Sequence, residues 1–253
     1  MKKILLLSIC VHVAWSASAA DHIGLGAKPP EGATVLLDGT RATLDEKWEY
    51  WEGPAFSSEM PIKWPLVKDP KGEGMALKTF DPKARSYGSA DIVTKEKYRD
   101  FRLHIEFLAL NKGANSGVYL QNRYEIQIHD GHQGKHGTAA VINEAAADPA
   151  DAYTGTMTWN AYDIMFRAAR FQDGKRVQNA LVTVYLNGIK VHENQEIKRV
   201  WGGGKSGIDG DNDGGRGITD RPGGVKLQCE TRNVLFRNAW IVPLELKEAN
   251  TDF

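Results

Sequence analysis

Cysteine is nearly missing from these 253 residues: only Cys10 and Cys229 are present. Two such residues build no disulfide framework, and loss of the first 20 residues would leave Cys229 alone, so the fold must stand on its core. Cys229 reads as a small buried hydrophobe. An excess of either charge is missing too, since 32 basic residues face 32 acidic ones. That balance argues against nucleic acid or an anionic membrane as the main partner and leaves a neutral ligand as the default. Also missing are a long helix-periodic stretch and a membrane anchor, which takes roughly 20 apolar residues.

The apolar run 4–14 is shorter than that and is interrupted by His12. With Lys2 and Lys3 before it and Ala17-Ser18-Ala19 after it, residues 1–20 have the form of a cleavable signal peptide. Export to the periplasm or beyond is expected, with residues 21–253 as one domain. A chain of that length is enough for a single large β core.

What is present is β-type periodicity. Residues 34–37, 47–51, 75–80 and 90–94 read as strands separated by Gly, Pro, Asn and Asp. Phe101, Leu103, Ile105 and Phe107 alternate with Arg102, His104 and Glu106, as in a half-buried strand. Tyr162, Ile164 and Phe166 share one face of 159–167, and Asn187-Gly188 marks a hairpin turn between 180–187 and 189–193. Residues 224–229 and 233–244 close the chain, so the whole reads as two packed antiparallel sheets. Residues 139–151 have room for one helical turn, and 202–224 form a long insertion with ten glycines.

The most loaded segment is 115–129, Asn-Ser-Gly-Val-Tyr-Leu-Gln-Asn-Arg-Tyr-Glu-Ile-Gln-Ile-His. Val118, Leu120, Ile126 and Ile128 point to one side, and Tyr119, Gln121, Glu125, Gln127 and His129 to the other. A carboxylate, an amide and an imidazole in one row could hold a polar ligand. The plainer alternative is a solvated face on which Glu125 pairs with a cross-strand Arg.

Residues 113–121 and 124–128 resemble the signature of the 3-keto-disaccharide hydrolase family. Further matches follow in order: Asn143-Glu144, 159–164, Leu186-Asn187-Gly188, 225–228 and Phe236-Arg237-Asn238, with 37–40 at the start. The resemblance spans about residues 31–246 and implies an all-β, concanavalin-like jelly-roll sandwich with a carbohydrate site on one face. It departs at one place. Leu227-Gln228 is followed by Cys229-Glu230-Thr231, where the family usually carries Asp-His-Gly, so Glu230 stands where a histidine is expected.

The activity implied is cleavage of a 3-keto-glycoside. A ketone at C3 acidifies the C2 hydrogen, so a base can remove it and the C1 aglycone leaves by elimination before water adds back. Such a site needs a base, a stabiliser for the enolate oxygen and an acid. Glu125 or His129 is the expected base, with Arg123 or a bound cation beside the oxyanion. Asn115, Tyr119, Gln121, Gln127, Trp201, Gln228 and Glu230 are the expected substrate contacts. Trp48, Trp51, Trp64 and Trp159 are further stacking candidates, although burial is the commoner fate of tryptophan. His129, Asp130, His132 and His136 could hold a divalent metal, but their spacing matches no closed zinc motif. Asp209, Asp211, Asp213 and Asp220 have the oxygen spacing of a calcium loop, against which stand Arg216 at an anchoring position and the lack of flanking helices. Two other readings remain open: a non-catalytic carbohydrate-binding module on the same fold, and a surface protein that binds another polypeptide.

Overall fold

The computed structural model describes residues 23–85, 88–201, 217–247 and 251. Fifteen strands build the framework. In chain order they are β1 (Thr34–Leu37), β2 (Trp48–Tyr50), β3 (Leu66–Lys68), β4 (Met75–Lys78), β5 (Ile92–Thr94), β6 (Asp100–Ala109), β7 (Asn115–Leu120) and β8 (Tyr124–His129). Then follow β9 (Trp159–Arg167), β10 (Arg170–Gln172), β11 (Lys175–Gln178), β12 (Ala180–Leu186), β13 (Ile189–Ile197), β14 (Lys226–Leu227) and β15 (Val234–Leu244). One short helix, α1 (Arg41–Lys47), joins β1 to β2, its first turn capped by the Thr40 hydroxyl accepting from the Thr43 amide.

The strands form two large antiparallel sheets and one small hairpin. The larger sheet has the order β13-β12-β9-β6-β15-β4-β3, with β1 added on β15, and the smaller has the order β2-β5-β14-β7-β8. Their inner faces meet in one core. Phe101, Leu103, Ile105 and Phe107 from β6 pack with Tyr162, Ile164 and Phe166 from β9 and with Val118, Leu120, Ile126 and Ile128 from the smaller sheet. The rings of Tyr124 and Phe166 lie 5.6 Å apart across the interface. This is the jelly-roll sandwich that the resemblance implied, and the period-two pattern of each strand is what builds it. Asn187 and Gly188 both take positive φ, 55° and 81°, at the turn joining β12 to β13, as the hairpin reading required.

Several elements were not legible beforehand. Helix α1, strand β3 and the β10–β11 hairpin are too short for periodicity to show. The expected helical turn within 139–151 is a single 3-10 turn at its end, Ala150–Ala152. Strand β6 is buried on both faces rather than one: His104 and Glu106 are 0% and 1% exposed. The reason is that residues 24–27 lie across that side of the larger sheet. The Gly24 amide donates to Asp163 Oδ2 and the Gly26 amide to Glu106 Oε1, both at 2.7 Å.

Candidate functional site

The outer face of the smaller sheet carries the chemistry. Register sets it out in rows. Tyr119 lies opposite Glu125, Gly117 opposite Gln127 and Asn115 opposite His129. Lys226 lies between Val93 on one side and Tyr119 on the other. Strands are about 4.8 Å apart, so Val93, Lys226, Tyr119 and Glu125 form one continuous cross-strand line. The next line runs through Gly117 and Gln228, whose amide donates to the Gly117 carbonyl at 3.1 Å.

Lys226 and Asp91, both fully buried, pair at 3.3 Å. The ammonium stands 3.8 Å from the centre of the Trp51 ring and 3.9 Å from that of Tyr119, so aromatic faces close two of its sides. Tyr119 accepts from Gln228 Nε2 at 3.2 Å and donates to the Glu125 carboxylate. Gly117 makes room for that carboxylate. A methyl group built there would lie 2.9 Å from Glu125 Cγ and collide with its carboxyl oxygen.

These surroundings move the ionisable groups. Burial pushes the Glu125 carboxyl up to about 8, with the Tyr119 hydrogen bond and Lys226 pulling the other way and Glu230 and Asp91 adding to the rise. Burial lowers Lys226 and raises Asp91, each shift opposed by the partner's charge. Glu230 is raised by partial burial and by Asp91, while Asn115 stabilises its charged form. Burial and the neighbouring His132 and His136 lower His129, which favours its neutral form. The His129 and His132 rings stack at 3.9 Å.

Of the residues expected at the site, Glu125, Tyr119, Asn115, Gln228 and Glu230 come together. Gln127 shares their face but is only 6% exposed, and its side-chain oxygen accepts from the Ile128 amide. Its backbone pairs with Ala139 and Ala140, which cover the outer edge of β8. His129 lies at the far end of the same strand. Trp201, partly buried, lines a narrow cleft with Arg123, Glu125 and Arg199, and its indole donates to Glu144 at 3.3 Å.

Gln121 and Arg123 are placed differently from the expectation. Gln121 is fully buried, and its amide nitrogen contacts the carbonyls of Tyr98, Arg99 and Arg221. Arg123 donates to the Gly217 and Gln121 carbonyls at 2.9 and 2.7 Å. A guanidinium so engaged braces the loop rather than standing ready for an oxyanion. Among the stacking candidates, Trp48 and Trp64 are core residues whose indoles donate to Leu36 O and Ala90 O. Trp159 donates to Asp69 on the larger sheet.

Among the described residues no group of three or more His, Cys, Asp or Glu side chains is arranged to hold a metal ion, the histidines near β8 included. Asp209, Asp211 and Asp213, the core of the calcium-type loop, lie outside the described residues. Asp220 lies 4.0 Å from the Arg99 guanidinium. Residues 1–20, the signal-like segment, also lie outside the described residues. Cys229 is buried, its thiol pushed up to about 12 by burial, as expected of an inert residue.

Sequence reasoning missed Lys226, Asp91 and Trp51 as a unit. One signal existed: Lys226 interrupts Val225, Leu227 and Cys229, whose alternation faces the core, so its side chain had to share the face of Gln228. A cavity of about 440 Å³ opens beside this trio, lined among others by Trp51, Met60, Val93, Lys97 and Asn122.

No curated protein matches the sequence significantly. Among solved structures, a candidate glycosyl hydrolase of Parabacteroides distasonis superposes with a TM-score of 0.64 at 26% identity, over 85% of each chain. A second candidate glycosyl hydrolase of the same organism gives 0.55 at 18% identity, over 85% of this chain and 95% of its own, a likeness of fold alone. The model of the 3-keto-alpha-glucoside-1,2-lyase-like domain matches residues 32–242. The jelly-roll sandwich, the polar row on its smaller sheet and this match over most of the sequence agree, and the chain belongs to the 3-keto-alpha-glucoside-1,2-lyase-like domain family.

Proposed function

We propose that this protein is an exported enzyme that cleaves 3-keto-glycosides, with Glu125 as its acid–base group. Family membership supports a glycoside-hydrolase-like or carbohydrate-binding function at the coarse level. The observation that carries the finer reading is the Glu125 carboxyl, held by Tyr119 with its pKa near 8. Such a group exchanges protons readily near neutral pH, which a general base requires. Glu125 takes the C2 proton, and the C–H electron pair forms the enolate at C2–C3. Collapse of the enolate breaks the bond from C1 to the aglycone oxygen, which takes the proton from Glu125 and departs as the alcohol, leaving the enone. Water then adds at C1, giving a proton to Glu125, which returns one to C2. The neutral imidazole of His129 is suited to guiding water. The cavity beside Trp51 offers volume for the aglycone. The signal-like segment supports export.

A non-catalytic sugar-binding module would be expected to present exposed aromatic rings and few titratable groups. Among the described residues no tryptophan or tyrosine is fully exposed, and the row is dense in ionisable groups. Both features favour the enzyme. Incubating the purified protein with a 3-keto glucoside, with and without chelator, tests it. Release of the aglycone by the wild type and its loss in Glu125→Gln support the reading. Unchanged release in that variant, or none in the wild type, rejects it.

A further inference from the structure

The proposed reaction leaves one costly feature without a task. Lys226 and Asp91 are an ion pair removed wholly from water, and such pairs contribute little to stability because desolvation cancels their attraction. This pair is also anchored with unusual care. Asp91 Oδ1 accepts the Cys229 amide at 2.9 Å, which leaves Oδ2 for the ammonium. Two aromatic rings hold Lys226 Nζ in place. One of them, Tyr119, has its hydroxyl on Glu125. Beside them Gln228, 1% exposed, has a side-chain oxygen that accepts no hydrogen bond.

A cation over the face of a phenol withdraws electron density from the ring. The hydroxyl then becomes a stronger donor, and the carboxylate that receives it is stabilised. The line Asp91–Lys226–Tyr119–Glu125 is thus a relay of fixed geometry along one cross-strand row and its neighbour. We propose that Lys226 is a positioning residue that acts through Tyr119 to set the pH at which Glu125 becomes a base, resting on the reading of Glu125 given above. Without the cation, a smaller fraction of Glu125 would be ionised at the pH where it must work.

Among the described residues, charged and titratable neighbours of Glu125 enter the balance from several elements. Lys226 favours the carboxylate, whereas Asp91 and Glu230 oppose it. Tyr119 donates to it from β7, and Tyr162 of β9 is a neutral neighbour from below. Arg123 and Arg199 share the cleft, the first engaged by carbonyls and the second exposed. Of the three cations only Lys226 is both fully buried and in contact with the ring that bonds Glu125.

The test follows the Glu125 carboxyl by NMR of carbon-13-labelled glutamate, assigned by its loss in Glu125→Gln, so it needs no turnover. In Lys226→Met the midpoint moves upward by about one pH unit. In Lys226→Arg most of the shift is reversed, and in Tyr119→Phe the midpoint rises with the lysine still present. Lys226→Gln, whose amide can still donate to Asp91 Oδ2, removes the cation alone and carries the measurement if Lys226→Met fails to fold. With a 3-keto glucoside, Lys226→Met is about tenfold slower at pH 7 and recovers as pH passes the new midpoint. A merely structural lysine would lower the rate at every pH. An unmoved midpoint in a folded Lys226→Met or Lys226→Gln variant overturns the proposal. Wild-type protein that titrates as described but releases no aglycone refutes the enzymatic reading and leaves the relay standing.

Discussion

The two sheets carry similar polar material on their outer faces and use it in opposite ways. On the larger sheet His104 Nδ1 meets Asp163 Oδ1 at 2.7 Å, and Glu106 receives Arg237, Asn238 and the Gly26 amide. Arg237 also pairs with Asp69 and stands 4.1 Å from the Trp159 ring. Each of these carboxylates is held by several donors, and Glu106 is kept down at about 2 despite its burial. On the smaller sheet the carboxyl that matters is pushed up to about 8, and a buried amide oxygen has no partner. A saturated network holds residues 24–27 against the sheet and has no capacity left for a ligand. An unsaturated one costs stability and leaves room for chemistry.

Four experiments would break or sharpen this contrast. The largest effect is expected in Glu125→Gln, which should lower turnover of a 3-keto glucoside by about 10²–10⁴-fold while the protein stays folded. Its counterpart Glu106→Gln should lose about 1–3 kcal/mol of stability in urea denaturation, because a neutral amide replaces the buried carboxylate that accepts from Arg237, Asn238 and the Gly26 amide. Equal folding stability in both variants would erase the distinction.

The pH dependence of stability should differ in sign. Glu106 has a folded pKa near 2, below its usual value of 4.5, so its contribution is full above 4.5 and fades as pH falls toward 2. Glu125 has a folded pKa near 8, above 4.5, so its folded form keeps a proton that the unfolded chain releases. Stability should therefore decline as pH rises from 4.5 to 8, and Glu125→Gln should remove that decline. Thermal unfolding of both variants across pH 3–9 reads the two slopes. The smallest effect is expected from Gly117→Ala. Its methyl displaces the Glu125 carboxyl, so activity should fall about tenfold with stability changed by about 1 kcal/mol or less. Full activity in this variant would show that the seat of the carboxyl over Gly117 is immaterial.

The legibility of the molecule divides along the same line. Strands β6, β9, β12 and β15 and the turn at Asn187-Gly188 followed from alternation and turn chemistry, because long strands in a two-layer sandwich must bury every second residue. Glu125 and Tyr119 were visible for the same reason, since period two puts them opposite the Ile and Val positions. The role of His104 and Glu106 was not visible. Their alternation matched an ordinary solvated face, and nothing local announces that residues 24–27 return to cover it. Gln121 and Arg123 misled in the converse way: chemically suited to a sugar, they are consumed by carbonyls of the loops at 98–99 and 217–221.

By itself the sequence determined two sheets, the face on which each side chain lies and the family to which the chain is related. These are properties of neighbours along the chain, and a two-residue period is enough to specify them. Tertiary structure alone decided that Asp91 and Lys226, 135 positions apart, meet between Trp51 and Tyr119. Register between distant strands makes that contact, and the low-dielectric enclosure it creates is what moves the Glu125 proton.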